Sequence, residues 1–478
     1  MVQNDSAFQP LNGLDWAVLA SIVAATLLVV ICSKLRCKVA ASGLSSREQF
    51  ADYLLMGRRL TLPLFTATLV ATWYGNIFGV TQSAFQHGIC VFVTQGIFWY
   101  LAYLVFACFI VNRLDSTHAM SLPDIVRQFA GKASGRLASM FIFFDVLPVV
   151  YTISLGFLLS VFTGWPLAIC MAAGTLFVCI YCALGGGFAA VVLSDAVQCI
   201  VMCIAVLVVV LFSCMHVGPP WVLLHKLPKS HLTILGNHSL SEAVVFGAIA
   251  LSTLVDPNFY QRCLATRNKQ VARRGILLSM VIWCGFDICT TLGGLYALAV
   301  LPHAQAGQAY LVYALQILPT GLRGFFVAGI LCCILSTLDS CLFTASSTLT
   351  YDLGPQACRF RTDISRIAIF VVGILSVCIG LAFDGCIRAV WKTFGSYSAA
   401  CLLPAVLASY IRPKQISDRS FIVGCCLGVL TMTLWRAFPY YNPWAQLDNF
   451  YAGVVATSVG LLTDSIFSSP TKHPTTGM

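Results

Sequence analysis

The residues of this 478-residue chain best suited to chemistry lie in Leu335-Ser336-Thr337-Leu338-Asp339-Ser340, inside an apolar run from about residue 325 to 349. A run of that length can cross a bilayer, where every unpaired polar atom is costly. Adjacent hydroxyls followed by a carboxylate therefore need partners. Hard oxygens gathered at that depth suit a small cation or the lining of a water-filled path. The plainer alternative is helix packing, each hydroxyl turned back to the carbonyl four residues earlier.

Two other apolar runs are interrupted by polar residues. One carries Ala71-Thr72-Trp73-Tyr74-Gly75-Asn76, and another carries Ser252-Thr253 followed by Asp256-Pro257-Asn258. Discontinuous helices at corresponding places in two halves of a chain are the sequence pointer to the central site of a transporter. No residue-level repeat accompanies them, so the symmetry rests on span order alone. Asp145 and Asp287 also fall inside apolar runs. Each is costly there unless it faces a cavity.

Thirteen spans are expected to position these groups, near residues 15–33, 61–83, 89–111, 137–163, 166–184, 188–213, 240–257, 275–301, 322–350, 365–383, 389–411, 420–437 and 447–467. The composition agrees: 59% of residues are hydrophobic and 10% charged, against roughly 25% charged in soluble domains. Residues 1–467 read as one membrane domain and 468–478 as a Pro/Thr-rich disordered tail. The first Lys is Lys34, after the first apolar run, so no cleaved signal peptide is expected.

The formal charge of +10 raises the question of a polyanionic partner. Its distribution answers it. With the N-terminus outside, Lys34, Arg36, Lys38, Arg58, Arg59, Arg113, Arg127, Arg262, Arg267, Arg273, Arg274, Arg359, Arg361, Arg412 and Lys414 all fall on the cytoplasmic side. That is the positive-inside pattern of a plasma-membrane protein with its C-terminus inside, and no nucleic-acid partner is implied. The 22 cysteines mostly sit within apolar runs and read as small hydrophobes. Asn237-His238-Ser239 is a glycan acceptor only in a eukaryotic secretory pathway. No HExxH or GxSxG occurs in the membrane, so an enzyme is not expected.

Four stretches, in order and at the right spacing over about residues 45–412, resemble the sodium/solute symporter family: Ala51 to Leu60, Gly185-Gly186-Gly187 through Asp195 to Gln198, Gln261-Arg262, and Leu335 to Ser340. The resemblance implies an all-α, leucine-transporter-type core of two inverted five-helix repeats (about 61–213 and 240–411), with one helix before and two after. It implies inward sodium-coupled transport of a small organic solute: an amino acid, pantothenate, a monocarboxylate or a sugar. It also implies sodium ligation by the carbonyls of Thr72, Gly75 and Cys333 and the hydroxyls of Ser336 and Thr337, with Asp195 and Asp339 serving a second cation or gating. Tyr74, Asn76, Gln82, Tyr151, Asp256, Asn258, Trp391 and Tyr397 are the candidates for the solute pocket. One departure stands out: proline-type relatives carry an Asp in the first broken helix and sugar-type ones an Asn, where Tyr74 aligns here. Two alternatives keep the fold, namely proton coupling through Asp195 or Asp339 and a solute sensor that does not transport.

Overall fold

A computed structural model of the chain describes residues 10–40, 45–114, 119–236, 238–411, 416–438 and 449–467. The expected tail from 468 and the glycan candidate Asn237 lie outside the described residues. The described chain is helical, with one isolated β-bridge, Leu60 to Thr266. In order the main helices are α1 (Gly13–Ala40), α2 (Ser46–Leu55), α3 (Leu62–Ala71) and α4 (Ile77–His87). Next come α5 (Phe92–Leu114), α6 (Leu122–Phe129), α7 (Lys132–Asp145), α8 (Val149–Thr163), α9 (Leu167–Leu184) and α10 (Phe188–His216). The second half holds α11 (Leu240–Ala250), α12 (Pro257–Leu264), α13 (Lys269–Val300), α14 (Ala306–Ile317) and α15 (Leu322–Ser347). Last are α16 (Thr362–Ala382), α17 (Ile387–Ile411), α18 (Asp418–Ala437) and α19 (Asn449–Phe467).

Among the described residues eleven helical stretches are long and apolar enough to cross a membrane, and Leu62–Ala71 and Asn449–Leu462 are shorter apolar helices. This is a multi-pass membrane protein. The stretch that carries the polar hexapeptide, Leu322–Leu353, is 89% buried over its most apolar window, against 17% for α1. The hydroxyls and Asp339 therefore sit at the centre of the bundle and not against lipid. α15 packs on α10, α1 and α16, while α3 and α4 pack against α13 and touch α15.

The helix breaks follow from their residues. After Thr72, whose N–H still donates to Thr68, the i→i−4 ladder lapses, and it resumes where Val80 donates to Asn76. Gly75 has no room for a side chain: a Cβ there would lie 2.6 Å from both Thr337 Cβ and Tyr151 Cδ1. The α11–α12 break passes through a tight 3-10 turn, Leu251–Val255, and restarts at Pro257. Asp256 caps that restart, accepting the Asn258 N–H at 2.8 Å. Gly187, at φ +76°, lets the start of α10 approach Tyr53, whose main-chain oxygen lies 2.5 Å from where a Cβ would stand.

Candidate functional site

The α3–α4 break and α15 meet at the expected place. Ser336 Oγ donates to the Ala71 carbonyl at 2.9 Å and also lies 2.8 Å from the Cys332 carbonyl. Thr337 Oγ1 donates to the Cys333 carbonyl at 3.1 Å and would stand 2.7 Å from a Cβ on Gly75. Ser336 is fully buried and Thr337 1% exposed. The Ala71 carbonyl of the broken helix, the Cys332 and Cys333 carbonyls of α15 and two hydroxyls thus lie close together, the donor chemistry of a hard monovalent cation. The carbonyl that Ser336 reaches is that of Ala71, the last residue of α3 and one residue before Thr72.

Thr72 serves a different cluster with its side chain. Arg262, counted among the loop charges by its sequence position, is fully buried on α12. Its guanidinium donates to Thr72 Oγ1, to Thr68 Oγ1 at 3.1 Å, to Ser340 Oγ at 2.9 Å and to Asp195 Oδ2 at 3.3 Å. Thr68 Oγ1 reaches the same Asp195 oxygen at 2.5 Å. Asp339 Oδ2 accepts from Tyr181 OH at 2.9 Å and Ser194 Oγ at 3.5 Å, while Asp339 Oδ1 and Asp195 Oδ1 are buried with no hydrogen-bond partner. Four helices, α3, α10, α12 and α15, are tied together through one arginine. By its sequence position Arg262 has only a topological role, as one of the cytoplasmic charges. The available signal was Thr68 and Thr72, one turn apart at the end of α3 and its cap.

The solute-pocket candidates divide. Tyr151 packs against Gly75. Asn258 accepts from Thr344 Oγ1 at 3.0 Å and its Nδ2 lies 3.9 Å from Cys341 Sγ, so α12 is held to α15 just below the break. Asn76 folds its amide over Gly79, with Oδ1 unpartnered. Gln82 lies further along α4, 3.7 Å from a Cβ built on Gly307. Tyr74 turns away from α15 altogether: its ring stacks on Phe286 at 3.8 Å and its hydroxyl donates to Asp287 at 2.6 Å. Tyr397 does not join the group, because that face of α17 covers α18. Its hydroxyl lies 3.2 Å from Thr433 Oγ1 and Arg436 sits over its ring at 5.0 Å. Trp391 has its main chain in α17, and its side chain lies outside the described residues. Asp145 ends α7 at the gap before α8 and is exposed.

The model of the sodium:solute symporter family matches residues 53–419. The chain belongs to the sodium:solute symporter family. It is accordingly a sodium-coupled symporter and not an enzyme. The symporter is 23% identical to the sodium/proline symporter of Escherichia coli, over 91% of this chain and 90% of that protein. It is 26% identical to the sodium/pantothenate symporter of Haemophilus influenzae over 58% of this chain, and spans 60% of that relative's length. Its fold matches that of a Na+-coupled sialic acid symporter solved in a substrate-bound outward-open state. The TM-score is 0.79 at 16% identity, covering 96% of this chain and 99% of that one.

Proposed function

We propose that this symporter drives uptake of a small organic solute by alternating access, with sodium held where the α3–α4 break meets α15. The carbonyls of Ala71, Gly75 and Cys333 and the hydroxyls of Ser336 and Thr337 form the ligand set. Thr72, the carbonyl first expected, is the neighbouring alternative at a helix end. The observation that carries the reading is the Ser336 hydroxyl lying 2.9 Å from the main-chain oxygen at which the broken helix stops. A neutral oxygen cage lets the ion leave again, since no fixed carboxylate holds it there. Inward sodium gains about 2.3 kcal/mol per 100 mV and about 1.4 kcal/mol per tenfold gradient, together enough for a solute gradient of a few hundredfold.

The finer architecture belongs to the same proposal. Thirteen crossings, counting the broken α3–α4 pair and α19, form two inverted five-helix repeats with one helix before and two after. The N-terminus lies outside and the C-terminus inside the plasma membrane, in keeping with the basic loops. Asp195 pairs with Arg262 while Asp339 has no ion pair among the described residues, and the charge left over suits a second cation or a gating role for the two carboxylates. Asn76, Tyr151, Asp256 and Asn258, around the two breaks, frame the solute. The test is uptake of radiolabelled proline and pantothenate into proteoliposomes across an imposed sodium gradient. Ser336→Ala is expected to raise the sodium concentration for half-maximal uptake about tenfold. Wild-type uptake that is equal with and without sodium contradicts the proposal.

A further inference from the structure

Asp287 sits past the midpoint of α13, in the most strongly apolar part of a membrane span, and is 6% exposed. Its two oxygens accept from two phenols: Tyr74 OH at 2.6 Å on Oδ1 and Tyr100 OH on Oδ2. Among the described residues no Lys, Arg or His pairs with it. Two neutral donors do not offset the desolvation of a carboxylate at this depth, and about half of its acceptor capacity is unused.

The surroundings specify what would complete it. Tyr74 and Phe286 stack at 3.8 Å, and Tyr100 lies edge-on to Phe92 at 6.4 Å, so the carboxylate is framed by aromatic faces. Tyr100 follows a π-helical stretch, Phe92–Ile97, an irregularity common at functional sites. Gly96 within it brings the α5 backbone close: a Cβ there would lie 3.4 Å from Asp287 Oδ2. Thr291, one turn along the same face of α13 and 6% exposed, has a buried hydroxyl with no partner. Tyr103, 1% exposed and 6.5 Å from Tyr100 ring to ring, is likewise unpartnered at its hydroxyl. A lone carboxylate, π faces and spare hydroxyls together attract an organic ammonium group, by charge, cation–π contact and hydrogen bonding.

We propose that Asp287, with Tyr74 and Tyr100, anchors an ammonium group of the transported solute. This rests on the symporter reading above and names the solute's chemical class. It also explains Tyr74. The acidic group absent from the broken helix is supplied from α13 and reaches the break through the Tyr74 hydroxyl. Tyr74 is the neighbour of Gly75, so a solute held at Asp287 and an ion held at Ala71, Ser336 and Thr337 act on the same few residues of unwound chain.

The test uses the purified full-length protein in lipid nanodiscs, with its melting temperature read in sodium and in potassium against four probes. Choline and proline carry an ammonium group; pantothenate and glucose carry none. The expected result is a sodium-dependent rise with choline or proline and none with the other two. Asp287→Asn, an isostere that can accept from one phenol and donate to the oxygen of the other, is expected to weaken the apparent affinity for that probe at least about tenfold. Its melting temperature without probe reports whether it folds, and Tyr100→Phe, which keeps the carboxylate, is expected to lose less affinity. No response to either ammonium probe, or unchanged affinity in Asp287→Asn, overturns the proposal. If pantothenate or glucose then responds in sodium, the symporter reading stands while this one falls. A rise for the responding probes that is equal in sodium and in potassium would instead count against the symporter reading itself.

Discussion

Asp195 and Asp287 are both carboxylates buried within membrane-spanning helices, and their surroundings differ in one respect. Asp195 has a resident cation, Arg262, at 3.3 Å, with both side chains fully buried. Asp287 has two phenols and no cation among the described residues. The Asp195–Arg262 pair balances its own charge and so works as a tie between α3, α10, α12 and α15. The second is left one positive charge short, and a solute is the natural source of that charge. Burial alone therefore does not separate a structural carboxylate from a binding one; the presence of a built-in counter-ion does.

The sharpest way to break this comparison is to remove the resident cation. Arg262→Met leaves Asp195 buried and uncompensated, and breaking such a pair costs about 3–5 kcal/mol. The variant should accumulate poorly or melt many degrees lower, and adding Asp195→Asn should recover part of the loss. Asp287→Asn should melt no lower than wild type, since it removes an unbalanced charge. Equal melting temperatures for Arg262→Met and wild type would dissolve the distinction between the two regions.

Smaller effects sharpen the account of the break that lies between the two clusters. Gly75→Ala places a methyl 2.6 Å from Thr337 Cβ and Tyr151 Cδ1. Overpacking of that kind costs about 1–3 kcal/mol, and sodium-driven uptake should fall by about tenfold or more in proteoliposomes. Thr337→Ala removes one candidate ligand and should raise the half-maximal sodium concentration by about threefold to tenfold, close to 1 kcal/mol. Tyr397→Phe removes only a hydroxyl that faces Thr433 of α18, and uptake should stay within about twofold of wild type, the size of one exposed hydrogen bond.

Much of this was legible in the chain. Polar interruptions at 72–76 and 252–258 marked the two breaks, because lipid tolerates irregular backbone only where protein or water replaces the lost hydrogen bonds. That Ser336 and Thr337 face the first break is what the family resemblance implied; on chemistry alone, hydroxyls turned back to their own helix fitted equally well. What escaped the sequence was direction and register. Whether Ala71 or Thr72 offers the carbonyl depends on which turn ends α3, a boundary no propensity fixes to one residue. Tyr74 and Tyr397 each sit on a helix with several polar or aromatic neighbours, and only packing decides which neighbour each ring meets. Arg262 read as a topology anchor because basic residues beside a span usually are. Its burial follows from α12 ending two residues later, at Leu264, inside the bundle and not in solvent.

The most direct measurement is equilibrium binding of radiolabelled sodium to the purified protein, comparing wild type with Ser336→Ala and Asp287→Asn without any solute. Saturable sodium binding by wild type, weakened about tenfold in Ser336→Ala and unchanged in Asp287→Asn, is the expected result. Sodium affinity that is indifferent to Ser336 would place the ion elsewhere and contradict the account.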